Sequence, residues 1–229
     1  MKTEYHSTFL PHLVPLGSTF FVTFNLVDSI PMPVMIALKE QHEQRKQAIL
    51  FSDKPDKGIL LYRENRFYFA QFEDALNKFY NGIKHLENND LAQLVEDKIF
   101  EFNGVWYDVL GICIMPNHVH IVLDFSIQIK ENTPINDETY VQLDAVMKRI
   151  KGATGLYCNR VLRRVGVPFW QRESFDHYAR NEAELERIVR YVAQNSVKAG
   201  LVERWTDWKF TYISPKYEQF AEPIKPPNA

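Results

Sequence analysis

Cys113-Ile114-Met115-Pro116-Asn117-His118-Val119-His120-Ile121-Val122-Leu123 is the stretch that decides the fold of this 229-residue chain. The apolar runs on either side of Pro116-Asn117, Val105 to Met115 and His118 to Phe125, read as two strands joined by a hairpin or near-hairpin. Successive side chains of a strand point to opposite faces, so His118 and His120 share one face while Val119, Ile121 and Leu123 share the other. The second face belongs in a core. On the first, two neutral imidazoles can share a metal ion, and they can equally serve as structural histidines.

Upstream of this pair, Phe20 to Val27 is β-branched and aromatic enough to be a buried strand. Pro31 and Pro33 break the chain before a polar-faced helix from Val34 to Leu50, and Ser52 to Gly58 is turn-rich. Ile59 to Phe72 is ambiguous between strand and helix. From Glu73 the spacing of Ala75, Leu76, Phe79, Ile83 and Leu86 is helical, and a further helix after Asn88-Asn89-Asp90 carries Leu91, Leu94, Val95 and Ile99. Downstream, 130–139 is polar and reads as a surface loop. A helix with Leu143, Val146, Met147 and Ile150 on its apolar side follows and runs toward Arg164; Phe169 to Tyr178 is strand-like. A last helix begins near Asn181, where Asn181 and Glu184 have the spacing of a capping box, and ends at Lys198-Ala199-Gly200.

This order predicts an α+β fold, a ferredoxin-like split βαβ with one antiparallel sheet backed by helices, to which a C-terminal helix is added. The expected organisation is an N-terminal extension over 1–17, a domain over 18–208 with a helical insertion at about 31–72, and a loosely docked Pro-rich tail within 209–229. At 45% hydrophobic and 14% aromatic residues the chain can bury a sizeable core. Met1-Lys2-Thr3-Glu4-Tyr5-His6 lacks the order of a secretory signal, and no apolar run approaches the roughly 18 residues of a membrane span. A cytoplasmic location without a membrane partner is the expectation. Cys113 and Cys158 lack zinc-site or disulfide spacing and read as reduced, buried thiols.

The net charge of −2 argues mildly against a nucleic-acid partner, but it hides an asymmetry. Residues 141–210 hold 13 Lys or Arg against 8 Asp or Glu. The densest part contains Lys148, Lys151, Arg160, Arg163, Arg164 and Arg172, which read either as a solvated helix face or as contacts to a phosphate backbone. Trp170 fits stacking on an unpaired base and fits a core position equally.

On the last helix Leu185, Ile188, Val189 and Val192 form the apolar stripe, and Tyr191 and Asn195, four apart, lie together at its margin. Packed beside the histidine strand, that helix brings a phenol and an amide to His118 and His120. Two imidazoles with the amide oxygen of Asn195 leave open positions on Mg2+ or Mn2+ for phosphate oxygens and water. Tyr191 in turn is a nucleophile only if its neighbours activate it.

Met115-Pro116-Asn117-His118-Val119-His120, then Phe169 to His177, then Tyr191-Val192-Ala193-Gln194-Asn195 through Val202 together resemble the REP-associated tyrosine transposases, a branch of the single-tyrosine HUH transposases of the insertion sequence 200 type. The resemblance runs from about Ser18 to Trp208. It implies that His118, His120 and Asn195 hold a divalent metal and that Tyr191 is the catalytic tyrosine. The implied activity is DNA transposition and recombination chemistry: transesterification of single-stranded or hairpin DNA, with a 5′-phosphotyrosine link and a free 3′-hydroxyl. The implied partner is palindromic-repeat hairpin DNA, bound by a monomer or a homodimer. Ser196 departs from the pattern, which usually has proline there. The rival readings are a hairpin-binding protein of the same fold that does not cut and a metal-dependent phosphoester hydrolase. His177 reads as a structural histidine.

Overall fold

The structure, a computed structural model, describes residues 2–7, 10–78, 82–129 and 139–223, the side chains of 1–14 excepted. β1 (Lys2–Ser7) and β2 (Leu10–Pro15) pair antiparallel in a ladder of their own, and β3 (Thr19–Asn25) opens the main sheet. α1 (Met32–Phe51) and α2 (Lys57–Lys78) make a helical hairpin before α3 (Asn89–Phe100) and the strand pair β4 (Asp108–Ile114) and β5 (His118–Asp124). Then come α4 (Leu143–Val161), β6 (Phe175–Tyr178), α5 (Glu182–Ala193), the single turn α6 (Asn195–Lys198) and β7 (Thr211–Ile213).

The main sheet runs β6-β3-β5-β4-β7 with every pairing antiparallel. Its first four positions are the fourth, first, third and second strands of the split βαβ, so the ferredoxin-like expectation holds. β7 is an addition at the β4 edge. The tight turn at Pro116-Asn117 closes with Met115 N–H donating to His118 O at 2.8 Å, which makes β4 and β5 a hairpin.

Each face of the sheet has its own cover. Phe20, Val22 and Phe24 of β3, with Val119, Ile121 and Leu123 of β5, pack against Leu91, Val95 and Ile99 of α3 and Val146 and Ile150 of α4. Burying one such side chain contributes roughly 1.5–3 kcal/mol. The Asn88 side chain caps α3 by accepting from Asp90 N–H and Leu91 N–H. On the other face Phe21, Cys113 and Val122 meet Leu185, Val189 and Val192 of α5. Gly111 permits that approach: a Cβ there would lie 3.2 Å from Ile213 Cδ1 and 3.7 Å from Val192 Cγ1. Beside α5 on this same face lies α2, whose Leu76 carbonyl accepts from Asn117 Nδ2 at 3.2 Å.

The ambiguous segment 59–72 is helix, and the insertion continues to Lys78. Leu86 belongs to a 3-10 turn rather than to that helix. The strand expected over Phe169 to Tyr178 is reduced to Phe175–Tyr178, because Trp170 turns into the core and meets Leu26 only through an isolated bridge. Within the expected tail, Tyr212 of β7 pairs with Ile112, and Tyr217 and Ala221 are buried. Apolar side chains at 213, 217 and 221 complete the α5 face, so this part of the tail is packed rather than loose. The expected loop over 130–138 and residues 224–229 lie outside the described residues. Cys113 and Cys158 are free and buried, as the sequence predicts.

Candidate active site

The β3–β5 register sets Thr23 opposite His120 and Asn25 opposite His118. Both histidine side chains are fully buried. His118 Nδ1 lies 2.6 Å from Asn117 Oδ1, and Asn117 is oriented by its own bond to Leu76 O. A carbonyl oxygen only accepts, so His118 carries its proton on Nδ1 and turns an unprotonated Nε2 toward His120. The two Nε2 atoms are 3.0 Å apart. His120 Nδ1 lies 2.8 Å from Thr23 Oγ1, a hydroxyl that donates or accepts and so serves either tautomer. Burial pushes the pKa of His118 down to about 3 and that of His120 well below its ordinary value, so both rings are neutral at pH 7. Neutral imidazole is the form that binds a metal.

Sequence reasoning missed the third member of the cluster. Glu73 sits on α2 within the buried stripe that includes Phe69, Phe72 and Leu76. Its Oε2 is 3.5 Å from His120 Nε2 and accepts the Tyr191 hydroxyl, while its Oε1 is buried without a hydrogen-bond partner. Burial pushes the Glu73 pKa up to about 8. Ligand-type atoms of Glu73, His118 and His120 lie within 4.8 Å of one another. Two neutral nitrogens and a carboxylate oxygen with an unused lone pair fit a divalent transition metal, and manganese or magnesium with added oxygen ligands. A charged residue on an otherwise apolar helical stripe is the signal that could have found Glu73.

α5 positions the phenol. Its Asn181 cap accepts from Glu184 N–H at 2.9 Å, as predicted, but the Glu184 carboxylate does not return the bond to Asn181. It accepts instead from Arg180 N–H, from Tyr62 and from His177. One face of α5 therefore delivers Tyr191 beside β5, its ring edge-on to His120 with centroids 5.3 Å apart and edge-on to Phe21 at 5.7 Å. Lys198 Nζ lies 5.0 Å from the centre of the same ring. Burial, then the carboxylate of Glu73, raises the Tyr191 pKa well above 10. Gln194 caps the end of α5, and Asn195, buried at the start of α6, lies beside Glu73 and Tyr191, where its amide lowers the pKa of both groups against the larger effect of burial. The four residues singled out in the sequence thus meet in one chain, with Glu73 between the histidines and Tyr191 and with Asn195 beside that carboxylate and phenol.

The basic stretch does not join them. α4 packs on the face of the sheet away from the histidines, so its exposed Lys148 and Arg160 lie away from the cluster, while Arg163 and Arg172 are exposed in the segments that follow α4. Lys151 donates to Arg172 O and Ser174 Oγ, both at 2.9 Å, and ties down the loop before β6. Arg164 bonds His85 at 2.7 Å. Trp170 is only 6% exposed, donates its indole N–H to Thr154 Oγ1 and meets the Phe24 ring edge-on; it is core. A cleft of about 590 Å3 between α2, β6 and α5 reaches Tyr191, Glu73 and Asn195, and the cations along it are Arg66, Arg180, Arg187 and Lys198. Among the described residues, no helix is long and apolar enough to cross a membrane.

The chain is 29% identical over 112 residues to a Haemophilus influenzae protein provisionally named as a REP-associated tyrosine transposase. The match covers 46% of this chain and 58% of that protein, so it spans little more than half of its relative. The resemblance read from the motifs is thereby borne out. A solved structure of a REP-associated tyrosine transposase bound to a REP hairpin aligns over 91% of this chain and 81% of its own, at 15% identity and a TM-score of 0.44. No family model matches.

Proposed function

We propose that this chain nicks and rejoins single-stranded DNA at hairpins by transesterification, with Tyr191 as the nucleophile. One observation carries the reading: the Tyr191 phenol lies against His120 and hydrogen-bonds Glu73, which stands beside both histidines of the same chain. Tyr191 Oη attacks the phosphorus of a phosphodiester, a phosphotyrosine bond forms to the 5′ side, and the bond to the 3′-oxygen breaks to leave a 3′-hydroxyl. Attack by a 3′-hydroxyl on the phosphotyrosine reverses the balance and joins strands without a high-energy cofactor.

Each side chain has a part. The phenolic proton is directed at Glu73 Oε2, which would take it in the ionised form that a bound cation favours. Asn195 lies beside carboxylate and phenol and favours their ionised forms, and Lys198 brings a positive charge to the place where phosphate must dock. His118 and His120, with Glu73, would hold Mg2+ or Mn2+, which supplies charge neutralisation on the non-bridging phosphate oxygens. Because Tyr191 faces the histidines of its own chain, one copy suffices for the site. Mouth residues of the cleft, rather than the α4 stretch, meet the strand that is cut, while the exposed α4 cations remain available to duplex backbone farther away.

The test uses labelled hairpin oligonucleotides, the intact protein and Mn2+, followed by denaturing electrophoresis. A covalent protein–DNA band is expected, and Tyr191→Phe should reduce it by about a thousandfold or more with thermal stability nearly unchanged. Cleavage without an adduct would assign the chain to hydrolysis by water; retention of hairpin without cleavage would leave a binding protein.

A further inference from the structure

The helical insertion is long, and the catalytic cluster accounts only for its Glu73. α1 holds α2 firmly: His42 and Arg45 both bond Glu64, at 2.9 and 2.8 Å, and Arg45 also reaches Gln71 at 2.9 Å. So braced, α2 forms one wall of the cleft whose other walls are β6 and α5. The cleft volume of about 590 Å3 falls within the roughly 300–1,000 Å3 typical of small-ligand sites.

Its lining has two chemistries. An aromatic wall runs from Phe175 to Phe69, stacked with centroids 4.2 Å apart, and on to Tyr191, whose ring centre is 5.9 Å from that of Phe69. At the mouth Arg66, Arg180, Arg187 and Lys198 are exposed and outnumber the exposed Asp74. Of the acids deeper in the cleft, Glu184 is engaged by Tyr62, His177 and Arg180 N–H and Glu73 by Tyr191, while burial raises the pKa of Asp176 to about 7. Flat apolar rings flanked by cations, opening at a nucleophile, match an unstacked nucleobase and its adjoining phosphates.

We infer that this cleft is a nucleotide subsite, which takes one unstacked base of the strand presented to Tyr191 against Phe69 and Phe175, with its neighbouring phosphates on Arg187 and Lys198. The assignment rests on the nicking reading for the identity of the strand. It gives the insertion a task, since Phe69 and Arg66 come from α2, and it explains why the cations nearest the phenol lie outside the dense basic stretch.

A short single-stranded oligodeoxynucleotide carrying one 2-aminopurine, moved through the sequence, tests the subsite without any cleavage. Bound to Tyr191→Phe protein, the probe should lose fluorescence when its 2-aminopurine occupies one position, as the base stacks on the aromatic wall. Adding Phe69→Ala should abolish that quenching and weaken binding about tenfold, the size expected for one base–aromatic stack. Ile188→Trp, which fills the cleft from α5 and leaves the wall in place, should do the same, so the result does not hang on one variant that might misfold. Arg187→Glu should weaken binding with a reduced salt dependence. Quenching and affinity unchanged in both Phe69→Ala and Ile188→Trp would overturn the subsite. The two readings fail separately: adduct formation with an empty cleft removes the subsite alone, and quenching in a wild-type protein that forms no adduct removes the nicking reading alone.

Discussion

On β5, Val119, Ile121 and Leu123 face α3 and α4, while His118 and His120 face α2 and α5, and all five are equally closed to water. Burial therefore does not separate the two faces; what the side chains meet does. The first set meets only apolar atoms and secures the fold. The second is desolvated among polar groups, so its protonation states are displaced and its two ring Nε2 atoms stand 3.0 Å apart, close enough to share a cation. One strand, by its alternation alone, divides stability from chemistry.

The sharpest way to break that division is Ile121→Ala. It should cost about 3–4 kcal/mol in denaturant unfolding, as cavities in dry cores do, while the adduct yield per folded molecule stays near wild type. A loss of adduct formation greater than the loss of folded protein would mean that the faces are coupled. On the other side, Mn2+ at about a hundred times its dissociation constant should raise stability by about 2.7 kcal/mol, measured by thermal unfolding, and His118→Ala should remove that gain. Equal stabilisation of wild type and variant would place the metal elsewhere.

Proton linkage gives a signed effect. The Glu73 pKa is raised from 4.5 to about 8 in the folded chain, so its contribution is complete below about pH 4.5 and is lost as pH rises through 8. The histidines run the other way: their depressed pKa values give stability that is complete above 6.5 and is lost on acidification. Metal-free Glu73→Gln protein should thus lose the alkaline decline between pH 5 and 8 and keep the acid one, as read from unfolding midpoints across pH. A matching decline in the variant would assign the alkaline limb to another group. Smallest is Ser196→Ala. The hydroxyl is buried without a hydrogen-bond partner, so its removal should change stability by less than about 1 kcal/mol and in the favourable direction.

The sheet and the site were unevenly legible. Runs of β-branched, aromatic and other apolar residues marked β3 and β4, alternation about His118 and His120 marked β5, and the four-residue spacing of Tyr191 and Asn195 placed both on one helix margin, because these are local patterns. Glu73 is 118 residues from the tyrosine it binds, and only the packing of the insertion brings them together. Segment 59–72 carries an apolar run that either period accommodates, so its helix was undecided without tertiary contacts. Charge density was limited for a related reason: counting Lys and Arg along 141–172 says nothing about which side of the sheet α4 covers. Trp170 shows the same limit, since an indole suits a base and a core alike and only its bond to Thr154 distinguishes them. β7 escaped notice because a strand of three residues has too little pattern to read.

The central claim is that one cation site is shared by the paired imidazoles and the phenol of a single chain. Anomalous diffraction from crystals grown with Mn2+ tests it most directly. One strong peak is expected within bonding distance of His118 Nε2 and His120 Nε2, with the Tyr191 hydroxyl of the same chain beside it. A peak away from both rings, or a Tyr191 turned out of the cleft while the metal is bound, would contradict it.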